Sequence, residues 1–138
     1  MVDYDKPEHL EYLKSYCEKK PDKLFRLIKT ARGFHAFLTS HEVPFNSSEA
    51  AIILKSVNSD PFHILGALIR GYSCRLNRKH RDDSDEYVEL GTIGNGKELE
   101  KQKKLYDLHL ELFKKHKDSC LYNSGRRNAQ DFIGYLTE

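Results

Sequence analysis

The 138 residues carry 23 basic and 21 acidic side chains, a formal net charge of +2 with histidine neutral, and 38% of them are hydrophobic. That length fits one domain with a core that needs no covalent staples, and the apolar share excludes wholesale disorder. So small a net charge excludes bulk attraction to nucleic acid, so any such partner must be argued from local clusters. No apolar run reaches bilayer-spanning length, and the N-terminal stretch from Met1 to Pro7 has neither the basic start nor the apolar centre of a leader peptide. The expectation is a protein without membrane attachment, intracellular, in the cytoplasm or nucleus. Cys17, Cys74 and Cys120 are odd in number and far apart, which suits reduced thiols.

In chain order, Pro7 to about Lys19 brings Leu10, Leu13 and Cys17 to one face, the spacing of a short amphipathic helix. Lys20-Pro21-Asp22 interrupts it. Leu24, Leu27, Ile28 and Ala31 then start a second helix-like stripe, with Gly33 ending or kinking it before Phe34, Phe37 and Leu38. Thr39 to Phe45 reads as loop. Asn46-Ser47-Ser48-Glu49 has capping-box spacing ahead of Ala50, Ile53, Leu54 and Val57, a helix ending near Asn58.

Asp60-Pro61 is a strong helix start, a capping carboxylate followed by a residue with no N–H to satisfy. Phe62, Leu65, Ile69, Tyr72 and Leu76 recur at steps of three and four, so residues 60 to 80 read as a central helix, buried in its first half and basic at its end. Arg81 to Glu86 is a charge run. A short strand-like stretch, Tyr87-Val88-Glu89-Leu90, leads into the glycine-rich Gly91 to Gly96. A long charged helix follows, with Leu105, Leu108 and Leu112 as its apolar stripe. A last amphipathic segment holds Ala129, Phe132, Ile133 and Leu136.

The fold expected is all-α, a compact bundle or armadillo/HEAT-like packing of about six to seven short helices in a single domain over residues 1–138. Within it, residues 6–80 form the helical core half, 81–96 a charged, Gly-rich loop, and 97–138 the long charged helix plus a C-terminal helix.

Several clusters carry possible chemistry. Gly91, Gly96 and Lys97 stand at the glycine and lysine positions of a Walker A loop, but Glu98 occupies the place of the magnesium-binding Ser or Thr, and its charge opposes phosphate. A flexible loop ending in an Asn95 cap is the better reading. His109, His116 and Cys120 could share a helix face, yet no paired-cysteine or zincin spacing accompanies them, so no metal and no cofactor are expected. Nothing local joins Cys17, Cys74 or Cys120 to a histidine and an orienting group. The carboxylates from Asp82 to Glu86 lie in a solvated run, a poor place to raise a pKa. The protein is therefore not expected to be an enzyme.

A non-catalytic adaptor or scaffold domain binding a protein or peptide partner is the leading expectation. Its candidate anchors are Tyr4, Tyr12, Phe45, Tyr122 and Tyr135, aromatics that fall off the helix stripes. The alternative is an RNA- or DNA-binding helical domain that contacts phosphates through Arg70, Arg75, Arg78, Lys79 and Arg81 at the basic end of the central helix.

Overall fold

The computed structural model describes residues 1–44, 47–70 and 86–116, the side chains of 66–70 and 116 excepted. In chain order they form β1 (Val2–Tyr4), a 3₁₀ turn (Pro7–His9), α1 (Leu10–Lys19), β2 (Leu24–Thr30), β3 (Phe34–Leu38), α2 (Ser48–Ser56), α3 (Pro61–Arg70), β4 (Tyr87–Gly94) and α4 (Glu100–His116). The strands make one four-stranded sheet in the order β1-β3-β2-β4, every neighbour antiparallel. The architecture is α/β. It overturns the all-α expectation together with the armadillo/HEAT likeness, because residues 24–30 and 34–38 pair as a hairpin and 87–94 is a strand rather than part of a loop.

The misreading has a physical cause. Leu24, Leu27 and Ile28 imitate a helical stripe only because β2 is buried on both faces, which erases the alternation that marks a half-exposed strand. Phe25 and Leu27 point to one side of the sheet and Ile28 to the other, and all three are buried. A short apolar run of this kind fits either period.

On one face, Val2, Tyr4, Phe25, Leu27, Phe34 and Ala36 form a single cluster with Leu13 and Cys17 of α1 and with Ile53, Leu54 and Val57 of α2. The opposite face lies under α4. Tyr106, His109 and Phe113 are buried there, with Tyr106 and His109 against Phe37 and Phe113 stacked on Tyr87 at 3.8 Å between ring centroids. The buried stripe of α4 is thus aromatic and offset from the leucines read in the sequence. Leu105, Leu108 and Leu112 flank it, half-buried.

Local signals fix the helix ends. Ser47 caps α2, its hydroxyl accepting from Ala50 N, one position beyond the Asn46 cap that the spacing suggested. At the other end Asn58 adopts φ 51°, with Asn58 N donating to Lys55 O and Ser59 N to Leu54 O. This paired closure is the Schellman arrangement, and asparagine tolerates the left-handed conformation it needs. It delivers Ser59 and Asp60 to the outer edge of β1. There Ser59 Oγ accepts from Asp3 N and Asp60 N donates to Asp3 O, so that sheet edge is closed by the chain itself.

Gly33 turns the β2–β3 hairpin, its N–H donating to Thr30 Oγ1 and its carbonyl accepting from Thr30 N. A Cβ at this position would overlap the Tyr4 carbonyl oxygen, which is backbone and cannot move aside. Gly91 has φ +105° but open space around its Cβ position. Gly33→Ala is expected to cost about 2–3 kcal/mol in urea unfolding and Gly91→Ala only about 1 kcal/mol, conformational strain without a clash. Equal losses at the two positions would show that the Tyr4 contact is not the source.

Candidate functional site

Of the basic residues proposed to contact phosphate, Arg70 is the last residue of α3, and Arg75, Arg78, Lys79 and Arg81 lie outside the described residues. The start of α3 is as the sequence indicates: Asp60 O accepts from Ile64 N at 3.0 Å, and its side chain faces Phe62 N at 3.4 Å. The buried character expected for this half is corrected. Ile64 packs on the core, whereas Phe62 is 76% and Leu65 52% exposed, because the sheet takes the central place that the helix was expected to fill. Tyr4, read as a partner anchor, is instead a core residue whose hydroxyl donates to Val57 O at 2.6 Å. Tyr12 is exposed, and Phe45, Tyr122 and Tyr135 lie outside the described residues.

The phosphate-loop pattern dissolves into structure. Gly91 and Gly94 belong to β4, and Gly96 N donates to Lys23 O. Glu98 is occupied: it accepts from Arg26 Nε and Nη2, both at 2.8 Å, and from Thr39 Oγ1 at 2.7 Å. The bond from Arg26 holds the Glu98 carboxyl below the usual carboxylate range, against the opposing effect of burial. Of the His109, His116 and Cys120 side chains weighed as a shared helix face, only His109 can be placed. His109 is turned into the sheet, where its Nε2 meets the Tyr87 hydroxyl, while the His116 side chain and Cys120 are outside the described residues. Among the described residues no three metal-capable side chains converge. Cys17 is buried, its thiol pushed up to about 11 by that burial, which makes it a poor nucleophile near neutral pH.

A hydrogen-bonded chain that depends on the β2–β3 hairpin has no counterpart in any local sequence pattern. His41 Nε2 lies 3.1 Å from Asp22 Oδ2, and its Nδ1 lies 2.8 Å from Ser40 Oγ. The order carboxylate, imidazole, hydroxyl is that of a nucleophilic triad. Ser40 Oγ, however, also accepts from Leu24 N at 2.9 Å, and the residue is only 6% exposed. Its hydroxyl closes the first backbone donor of β2, and what the arrangement does is fix the His41 ring.

That ring borders a cavity of about 220 Å³. Val2, Phe25 and Leu38 of the sheet and Ala50, Ile53 and Leu54 of α2 make its apolar wall; Val43 adds to it, and His41 and Gln102 supply polar side chains. The cavity sits where β1 stops short of the end of β3. No sequence spacing unites these residues, which come from five segments joined only by the sheet.

Comparison with protein-family models, with curated proteins and with solved structures returns no match.

One buried histidine, His109, and one half-buried, His63, give the fold a pH signature. Burial pushes His109 down to about 3 and His63 down to about 4, the latter with its Nε2 on Met1 O at 2.9 Å. Both stay neutral in the fold while the unfolded chain protonates near pH 6.5, so the unfolded state gains protons first and stability falls as pH drops below that value. Urea midpoints are expected to be level above about pH 7 and to decline toward pH 5, before carboxylates titrate. His109→Gln should flatten that decline, and an unchanged slope would remove His109 as its source. Separately, Glu98→Ala leaves the Arg26 guanidinium, 24% exposed, without its bidentate partner. A loss of about 1.5–3 kcal/mol in chemical denaturation is the expected outcome.

Proposed function

We propose that this domain is a non-catalytic binding module whose cavity between β3, α2 and the start of α4 receives an apolar group of a protein or peptide partner. The observation that carries this reading is the cavity itself: apolar side chains of the sheet and α2 line it together with a comparable share of polar surface, which includes His41 and Gln102. Its size helps to choose the occupant. About 220 Å³ is below the roughly 300–1,000 Å³ typical of pockets that enclose a whole small molecule, and it suits one large side chain. The engagement of Ser40 with Leu24 N and of Glu98 with Arg26 supports a structural use of these two polar groups. Phe62 and Leu65, exposed on one face of α3, offer further apolar area for a partner to cover.

The reading is tested by filling the cavity. Ala50→Phe introduces a ring from the wall of α2, and Tyr12→Ala serves as a control on exposed α1. Quantitative co-purification under gentle conditions is expected to recover partners with the wild-type and Tyr12→Ala chains and to lose them about tenfold or more with Ala50→Phe, provided the variant retains a cooperative melt. Identical recovery by all three chains would overturn the reading.

A further inference from the structure

The two faces of the sheet are packed in different ways. The cluster formed with α1 and α2 is continuous, and Ile28, Tyr106 and Phe113 are not part of it. The layer under α4 is separate, and it holds two imidazoles. His109 of α4 lies 5.0 Å from Phe37, 5.6 Å from Tyr87 and 6.5 Å from Phe113 between ring centroids. His35 of β3 lies 6.0 Å from Tyr87 and 6.4 Å from Phe37, and its buried Nδ1 has no hydrogen-bond partner among the described residues.

α4 is fastened unevenly along its length. At its start Glu98 accepts from Arg26 Nε and Nη2 and from Thr39 Oγ1, Leu99 N donates to Thr39 O, and Lys101 pairs with Glu42 at 2.8 Å. Arg26 holds the Glu98 carboxyl below the usual carboxylate range, so this clamp survives mild acid. Further along, the attachment is made by rings: His109 on Phe37 and Tyr87, Phe113 stacked on Tyr87, and His109 Nε2 against the Tyr87 hydroxyl.

A proton on His109 therefore strikes the second attachment and spares the first. An imidazolium must donate from both ring nitrogens and is costly to hold in an apolar layer. The titratable and charged groups around it are Tyr87 and Glu89 from β4, Arg26 from β2, His35 from β3, and Lys103, Tyr106 and Asp107 on α4 itself. Asp3 of β1 lies beyond, 3.4 Å from His35 Nε2, and His63 of α3 also faces His35. Glu89 is engaged by the Tyr106 hydroxyl, Asp107 by Lys103 and Asp3 by His35. His35 and the Met1 amino group both oppose a positive charge on His109.

We propose that α4 is an acid-released strap: below about pH 6 its second half, from His109 onward, leaves the sheet and uncovers Ile28, Phe37 and Tyr87, while Glu98 and Arg26 hold its start in place. Once released, His109 is solvated and protonates near pH 6.5, whereas in place it stays neutral down to about 3. Protons thus bind the released state preferentially. The closed state is fully favoured above about pH 7, and at pH 5 the released population rises roughly thirtyfold.

Hydrogen exchange of the wild-type chain, followed by peptide at pH 7.5 and pH 5 and corrected for intrinsic rates, tests this. Residues 105–116 are expected to lose roughly thirtyfold in protection and to exchange ahead of β2, α2 and residues 98–103 at pH 5. His109→Gln, which keeps a polar group for the Tyr87 hydroxyl, should remove that loss. Glu98→Gln should spread the fast exchange at pH 5 to residues 98–103, because the clamp is weakened. Exchange at one common rate in β2, α2 and α4 at pH 5 overturns the strap and leaves only global unfolding. Protection of residues 105–116 that does not change with pH overturns it as well, and both of these outcomes are read on the wild-type chain, so neither depends on a variant folding.

Discussion

Burial of β2 on both faces is the constraint on which the rest of the molecule depends. Phe25 and Leu27 must be covered on one side, and α1 and α2 do this with Leu13, Cys17, Ile53, Leu54 and Val57. Ile28 must be covered on the other, which requires α4 to lie across the sheet. The same geometry places Arg26 on the α4 side, where an unpaired guanidinium would be costly. Glu98 answers it just before α4 begins, Thr39 at the end of β3 donates to the same carboxylate, and Leu99 N bonds to Thr39 O. One ion pair, 24% and 19% exposed in its two side chains, thus sets where α4 starts and which of its faces meets the sheet.

What lies under α4 follows from that registration. Steps of three and four from Tyr106 reach His109 and Phe113, so an aromatic stripe rather than the leucine stripe meets Phe37 and Tyr87. A histidine is admitted to this apolar layer because Tyr87 supplies a hydroxyl for its ring nitrogen, and Tyr106 directs its own hydroxyl to Glu89. The two tyrosine hydroxyls are thus engaged, whereas the buried Nδ1 of His35, in the same layer, has no hydrogen-bond partner among the described residues, and a neutral His109 is kept at the expense of tolerance to acid.

Legibility in the sequence tracked how local each signal was. The helix at residues 7–19, the α2 helix with its serine-rich start, the Asp60-Pro61 start of α3 and the helical nature of the segment after Gly96 were all readable, because caps and amphipathic spacing act within a few residues. The hairpin 24–38 was not, because its strands are buried on both sides and its turn lacks the Asn-Gly type of dipeptide that announces a tight hairpin. Strand β4 was half visible: Tyr87 to Leu90 read as strand-like, but Gly91 and Gly94 read as loop, although their positive φ values belong to a bulged edge strand. The cavity was beyond reach for a stronger reason. Phe25, Leu38, Ile53 and Gln102 become neighbours only once strand order is known, and no local pattern encodes that order.

The cavity lies at the corner where β1, β3 and α2 meet. β3 is longer than β1, and the chain that leaves α2 is committed, through the Asn58 closure, to sealing β1 at Asp3 rather than extending cover to Leu38. The corner beyond Val2 is left to Met1 and Val2 on one side and to Val43, Ala50, Ile53 and Leu54 on the other, elements whose own geometry is fixed elsewhere. Walls of that kind do not readily collapse inward to close the space, since doing so would shift the Schellman turn or the Ser47 cap. Ser40 beside the cavity is already bonded to the backbone of β2, and the one acid near its mouth tied to an imidazole, Asp22, orients His41 on the cavity wall.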